Sequence, residues 1–340
     1  MINNIKQHTQ IYVACPSQVA TGGPELLHQL VYKLNKLGYN ASMVYFDNWT
    51  LCKHKSLSRI TRHKDPVHVY YHKYNNPVTL LYDIKDDSNN VIVIPETFST
   101  ILYMFKNIKK ALWWLSVDNF FLKQKEKSYR LKNIFSLMKS YDFNDNPNIY
   151  HLSQSFYAID FLKNKGVPES KISYLSDFLN KTFLDEMDQV QFDSSSRKDV
   201  ILYNPKKGYE TTSKLKSLLL DYEWVPLVNM TPDEVKNLLL SSKVYIDFGF
   251  HPGKDRFPRE AAICGCCVIT GTKGSAKFFE DVYILDKYKF DNPVESIEEF
   301  KIIIEQCFSN YNSISKDFEE YRNRILNEEE KFEKDIINVF

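Results

Sequence analysis

The sequence predicts an α/β protein of two domains, and three observations carry that prediction. Short apolar runs with strand character alternate with segments of helical period, the pattern of parallel sheets flanked by helices. A length of 340 residues accommodates two such domains comfortably. Between them, the polar and serine-rich stretch 188–198 (DQVQFDSSSRK) reads as a boundary loop, after which a new α/β series begins. The expected division is 1–185, 186–315 and a charged terminal helix over 316–340.

In the first half, Ile11–Cys15 reads as a strand running into Pro16–Pro24, a loop that contains Gly22 and Gly23. Glu25–Leu37 has helical period, with Leu26, Leu27, Leu30, Val31 and Leu34 on one face and Gly38 as terminator. Ala41–Phe46 completes a βαβ unit with a Gly-Gly turn at the carboxyl end of its first strand, the edge at which open parallel sheets bind ligands. Over residues 51–76, His54, His63, His68 and His72 raise the question of a metal. VHVYYHKY reads as a strand, however, and residues four apart on a strand are too widely spaced to chelate one ion readily, so no metal site is expected. Val91–Pro95 and Ala111–Ser116 are buried strands, and Glu96 and Asp118 follow them. Acids at strand ends suit catalysis or acceptor binding, and equally suit helix capping or turn formation. Phe120–Ser140 carries six Lys/Arg against one acid, interleaved with apolar residues. It fits a membrane-surface helix or lid, and also a surface helix that packs its apolar face on its own domain. Ile149–Ser153, a helix over Gln154–Lys165 and Ile172–Leu175 end this half.

The second series opens with Val200–Tyr203, the turn Asn204-Pro205-Lys206-Lys207-Gly208 and a helix over Thr212–Leu220. Trp224–Val228 follows, then a helix through Leu240 with Thr231 at N-cap and Pro232 at the first helical position. Val244–Phe250 is a strand closed by His251-Pro252-Gly253. A helix start at Pro258 with Glu260 in its first turn is expected next, then the strand Cys266–Thr270. The intervening loop carries Lys254, Arg256 and Arg259 beside free backbone N–H groups, a place for a phosphorylated ligand. Tyr283–Leu285, a helix over Val294–Ser309 and a helical charged run over Ile314–Phe340 complete the chain.

Composition narrows the classes. Hydrophobic residues make up 43% of the chain, enough for a substantial core, and ten glycines argue against long flexible linkers. No apolar run approaches the ~20 residues of a membrane span, and the N-terminus lacks a secretory pattern. The six cysteines show no metal-ligand spacing and read as reduced, buried thiols, which with the N-terminus predicts a cytoplasmic protein. Residues 1–180 hold 22 basic against 14 acidic residues, and residues 181–340 hold 22 against 29. A basic first half facing an anionic surface or substrate is the expectation. Nothing points to nucleic acid.

PREAAICGCCVITG (Pro258–Gly271) resembles the donor-site signature of the group 1 glycosyltransferases of GT-B fold, in which a Glu-Ala-x-Ala-x-Gly segment precedes a buried strand. The resemblance implies two Rossmann-like domains facing each other across a cleft, with a terminal helix that crosses back to the first domain. It implies that Glu260 holds the ribose hydroxyls of a nucleotide sugar, the donor substrate, with no separate cofactor. Gly274-Ser275-Ala276 resembles the loop after the next strand, Gly22-Gly23 the family's N-terminal glycine loop, and Lys207, in the turn opened by Asn204, its phosphate-binding lysine. One position departs: the family's further acid, eight residues before Glu260, is Pro252 here. Lys207, Arg256 and a helix N-terminus would neutralise the leaving diphosphate without a metal, and no Asp-x-Asp is present. With Asp118 and Glu96, these are the candidate catalytic residues. The expected acceptor is a glycan or lipid-diphosphate-linked glycan of surface-polysaccharide synthesis, met by the first domain at the inner face of the membrane, where an anionic surface attracts basic residues. Retention is the family's default. Two other readings share the fold: a nucleotide-sugar 2-epimerase, and a GT-B-like binding subunit without turnover.

Overall fold

In the computed structural model, residues 2, 8–47, 65–122, 141–143, 148–185, 187 and 193–340 are described. They divide into two units, Met1–Gln154 with Ala158–Ser176 and Glu333–Phe340, and Ser155–Tyr157 with Asp177–Phe332.

The first unit starts as its sequence pattern requires. Strand β1 (Gln10–Pro16) and strand β2 (Asn40–Phe46) bracket helix α1 (Gly22–Lys36). The helix buries Leu26, Leu27, Leu30, Val31 and Leu34, and the chain turns at Gly38, whose φ of 86° lies in the left-handed region. The strands β3 (Val91–Pro95), β4 (Lys109–Trp114) and β5 (Tyr150–Ser153), the helix α2 (Phe156–Asn164) and the strand β6 (Ile172–Tyr174) follow. All six strands pair in parallel, in the order β2-β1-β3-β4-β5-β6. Every residue of β3 is buried, as expected of a strand covered on both faces.

The second unit repeats the plan with β7 (Lys198–Tyr203), α3 (Tyr209–Leu218), β8 (Glu223–Pro226), α4 (Pro232–Ser241), β9 (Ser242–Asp247), α5 (Arg256–Ile263) and β10 (Cys267–Thr270). Its four parallel strands run in the order β10-β9-β7-β8. Helices α6 (Ile297–Ser309), α7 (Glu319–Leu326) and α8 (Glu328–Val339) end the chain. Strand order reverses beside β1 in one sheet and beside β7 in the other. Each reversal opens a crevice at the carboxyl edge of its sheet.

Four expectations change. VHVYYHKY is not a strand: Val69–Tyr74 forms a 3₁₀ helix, capped by His68 Nδ1 accepting from the Tyr70 amide at 3.3 Å and stopped by Asn75 at φ 45°. Only Tyr71 of that helix is buried, so the alternation a strand needs is missing. Tyr283–Leu285 forms no strand, although Ile284 is buried; instead Thr270 makes an isolated bridge with Lys289. Helix α5 begins at Arg256, with Asp255 at its N-cap, so Pro258 is its third residue and Glu260 its fifth. Gly22 and Gly23 open α1 rather than lie in the loop before it. His54, His63 and residues 123–140 of the basic segment lie outside the described residues, as do 188–192 of the boundary stretch. Cys15, Cys264, Cys266, Cys267 and Cys307 are buried thiols.

Candidate functional site

At the carboxyl edge of the second sheet, three loops close on the crevice between β7 and β9. The turn after β7 is held by Asn204, whose carbonyl accepts from the Lys207 amide at 3.2 Å and whose Oδ1 accepts from the Lys206 amide at 3.0 Å. Gly208 then sits at φ 60°, and a Cβ there would lie 2.5 Å from the Gly249 amide nitrogen. A Cβ on Gly249 would in turn meet Lys207 Cβ at 2.5 Å. Both positions therefore exclude any side chain, and this lets the two backbones touch. Gly274, at φ 64°, plays the same part for the third loop, because a Cβ there would come well inside contact with the His251 carbonyl. That carbonyl accepts from the Ser275 amide at 2.9 Å, while Ser275 Oγ donates to Gly253 O at 2.6 Å.

The charged groups in this crevice form a chain. Lys207 Nζ meets Asp255 Oδ2 at 2.5 Å, and about a third of the lysine side chain is exposed. Asp255 Oδ2 is also 3.3 Å from His251 Nδ1, and His251 Nε2 is 3.5 Å from Asp247 Oδ1. Asp247 further accepts from the Gly249 amide at 2.9 Å and from the Tyr245 hydroxyl at 3.2 Å. Burial raises the Asp247 carboxyl, but His251, the Gly249 amide and Lys207 outweigh it and hold it below its ordinary value. Asp247, His251 and Asp255 bring their ligand-type atoms within 4.8 Å of one another. The two carboxylates address opposite ring nitrogens, and the lysine ammonium already holds Asp255, so the group suits an ion chain better than a cation site.

The other predicted residues are divided by this geometry. Arg256 is the first residue of α5 and half-buried; Glu260, one turn on, is buried with α5. Lys254 and Arg259 are committed elsewhere. Arg259 is fully buried, with Nη1 2.7 Å from Glu328 and Nη2 2.7 Å from Asp177. Lys254 Nζ lies 2.7 Å from Glu328 and 3.7 Å from Asp177. Burial would raise Asp177, but Arg259 and Lys254 hold it below the ordinary carboxylate range. Both cations are thus paired and enclosed inside the unit, whereas the Lys207–Asp255 pair is partly exposed.

In the first unit, Gly23, Glu96 and the end of β4 converge at the crevice beside β1. An added Cβ at Gly23 would meet Leu115 Cδ1 at 3.7 Å, and the Leu115 amide donates to Glu96 Oε2 at 3.0 Å. Glu96 is only 3% exposed, and burial pushes its carboxyl up to about 8, opposed by backbone N–H groups. Through the Leu115 amide its carboxyl links the end of β3 to the end of β4. Asp118 is half-buried in a helical turn over 117–122. Sequence reasoning passed over Asp247, His251 and Asp255. The available signal was a strand ending in Asp and a loop with further titratable groups four and eight residues on.

Two parallel α/β units, each with a ligand-binding edge at a strand-order reversal, define a GT-B architecture of two Rossmann-like domains. No family model matches the chain, and no curated protein matches it in sequence. Solved structures do match in shape. Sucrose-phosphate synthase from Thermosynechococcus elongatus superposes with a TM-score of 0.54 at 13% identity, covering 98% of this chain and 97% of that one. Anabaena HepE in complex with UDP and glucose gives a TM-score of 0.60 at 11% identity, covering 98% and 99%. WaaG, a glycosyltransferase involved in lipopolysaccharide biosynthesis, gives 0.55 at 10% identity, covering 96% and 99%. At such identities the likeness is one of fold.

Proposed function

We propose that the chain is a glycosyltransferase that takes a nucleoside-diphosphate sugar at the second unit and an acceptor glycan, free or lipid-diphosphate-linked, at the first. The observation that carries this reading is Lys207 at the mouth of the β7/β9 crevice, where three carboxyl-edge loops meet. That edge is where open α/β sheets bind nucleotides, and a partly exposed ammonium there suits a diphosphate. The N-terminus of α5 adds positive charge beside it, since Lys207 pairs with the N-cap Asp255; Arg256, the first residue of that helix, is the second cation of this reading, and Glu260 is the group for the ribose. In the transfer, the bond from the anomeric carbon to the diphosphate oxygen breaks. The electron pair leaves with the nucleoside diphosphate, and the acceptor hydroxyl bonds to that carbon and gives up its proton to the departing diphosphate or to water. Fixed cations stabilise the growing charge on the leaving group without a resident metal. The bound UDP-glucose and UDP of HepE structures support a nucleotide-sugar donor of this kind. The role named for WaaG supports a surface-polysaccharide setting, with the protein cytoplasmic and meeting a lipid-linked acceptor at the membrane face.

Calorimetric titration with UDP and UDP-glucose tests the reading. Micromolar to millimolar binding that Lys207→Gln weakens about tenfold or more is expected. A folded wild-type protein that binds no nucleoside diphosphate from a full panel would overturn it. If Lys207 acts on the growing charge, the same change lowers kcat more than it raises KM.

A further inference from the structure

The crevice contains a buried imidazole that binding of a diphosphate to Lys207 does not by itself require. His251 is fully enclosed, with a carboxylate oxygen facing each ring nitrogen: Asp247 at 3.5 Å from Nε2 and Asp255 at 3.3 Å from Nδ1. Neither contact has hydrogen-bond alignment, so both act as ion-pair contacts. A neutral imidazole carries one N–H and one lone pair. In this position the lone pair would be set against a carboxylate in a low-dielectric interior, a costly repulsion. The ring is wholly buried, which leaves it little room to turn aside, and its backbone is held on both sides: the His251 amide donates to Lys273 O at 3.4 Å and its carbonyl accepts from Ser275.

We propose that His251 is a positioning residue, an imidazolium that shares the charge of Asp255 and so leaves the Lys207 ammonium available to a donor diphosphate. This rests on the donor-site reading above. With His251 protonated, Asp247 and Asp255 are balanced by His251 and Lys207. An arriving diphosphate draws Lys207 away while Asp255 keeps a cationic partner. With His251 neutral, the same movement strips a largely buried carboxylate of its counter-ion, and the anion meets a site of net negative charge. Asp247 serves as the fixed end of the chain, since the Gly249 amide and Tyr245 hydroxyl hold it.

The groups facing His251 are Asp247 from the end of β9, Asp255 from the N-cap of α5 and Lys207 from the turn after β7. The third loop offers backbone and the Ser275 hydroxyl, and the Tyr245 hydroxyl reaches Asp247. Burial lowers the His251 pKa and Lys207 opposes protonation, yet the two carboxylates outweigh both and leave it raised above its ordinary value. The sign follows: affinity for a diphosphate is full where the ring is protonated and falls as pH rises through that raised value.

The test uses the full chain and UDP as probe. Calorimetry between about pH 6 and about pH 9 on wild type and His251→Gln is paired with ¹⁵N NMR of the histidine ring nitrogens in the unliganded wild type. Both His251 nitrogens protonated at neutral pH are expected, with UDP affinity falling about tenfold across the range as they lose a proton. His251→Gln should bind about tenfold more weakly at the acid end, with a flat profile. A singly protonated ring at neutral pH overturns the proposal whether or not the variant folds, and so does full affinity in His251→Gln. In either case UDP binding by wild type leaves the donor-site reading standing. Wild type that binds no nucleoside diphosphate at any pH overturns that reading and the proposal with it.

Discussion

Glu96 shows how burial changes the protonation of a carboxyl at a strand's end. At 3% exposure its carboxyl is favoured in the protonated form, with a pKa near 8 against an ordinary value of 4.5. A folded-state value above the unfolded one means that the folded protein binds the extra proton. That contribution is complete below about 4.5 and is lost as pH rises through about 8. Between these limits Glu96 should cost the fold up to ~1.4 kcal/mol per pH unit. Glu96→Gln, which keeps the shape and removes the titration, should therefore raise the thermal unfolding midpoint at the alkaline end and flatten its decline with pH. Parallel thermal scans of the two proteins across that range check this. An unchanged slope would mean that the backbone N–H groups on Glu96 hold it ionised.

At the scale of the element, two helix starts in the second unit separate stability from site geometry. Helix α4 begins with a full capping box: the Glu234 amide donates to Thr231 Oγ1 at 3.3 Å, and the Thr231 amide donates to Glu234 Oε2 at 2.7 Å. Thr231→Ala should cost about 1 kcal/mol and leave UDP affinity unchanged. Helix α3 begins instead at Gly208, in left-handed backbone pressed against Gly249. Gly208→Ala imposes both the left-handed penalty and an overlap with main chain, together roughly 2–5 kcal/mol. It also pushes Lys207 from the crevice, so UDP affinity should fall with stability. Chemical unfolding and calorimetry on both variants check the contrast.

At the scale of the whole molecule, one tie between the two ends of the second unit is ionic. Asp177 from the segment after β6, Lys254 from the loop after β9, Arg259 of α5 and Glu328 at the start of α8 come together, and Arg259 is wholly enclosed between the two acids. Removing one member of such a cluster leaves a buried charge uncompensated, at ~3–5 kcal/mol. Arg259→Met should lower the unfolding midpoint sharply. UDP affinity measured well below that midpoint should stay within about threefold of wild type, because Arg259 serves the fold rather than the ligand. Loss of affinity without loss of stability would return Arg259 to the donor site.

The alternation of strand and helix, the capping of α4 at Thr231 and Pro232, the glycine stops and the buried strands β3, β9 and β10 were all legible in the sequence. Periodicity, caps and left-handed turns are local properties, written within a dozen residues. The lysine of the turn after β7 was legible in the same way, as a charged residue at a strand's carboxyl end. The misreadings fall where local signals tie. VHVYYHKY has strand-forming residues, yet a histidine cap and an asparagine turn made a 3₁₀ helix. The roles of cations within one charged loop were undecidable from order along the chain: Lys254 and Arg259 found acids at positions 177 and 328, while Lys207 found Asp255 and, through it, His251. Such pairings depend on distance in space, and electrostatic energy in a buried site depends on which partner lies within a few ångströms. The sequence alone determined most of the strands and helices and where their carboxyl edges carry charge. The tertiary structure decided which acid each cation pairs with, and whether that pair is enclosed or stays within reach of solvent.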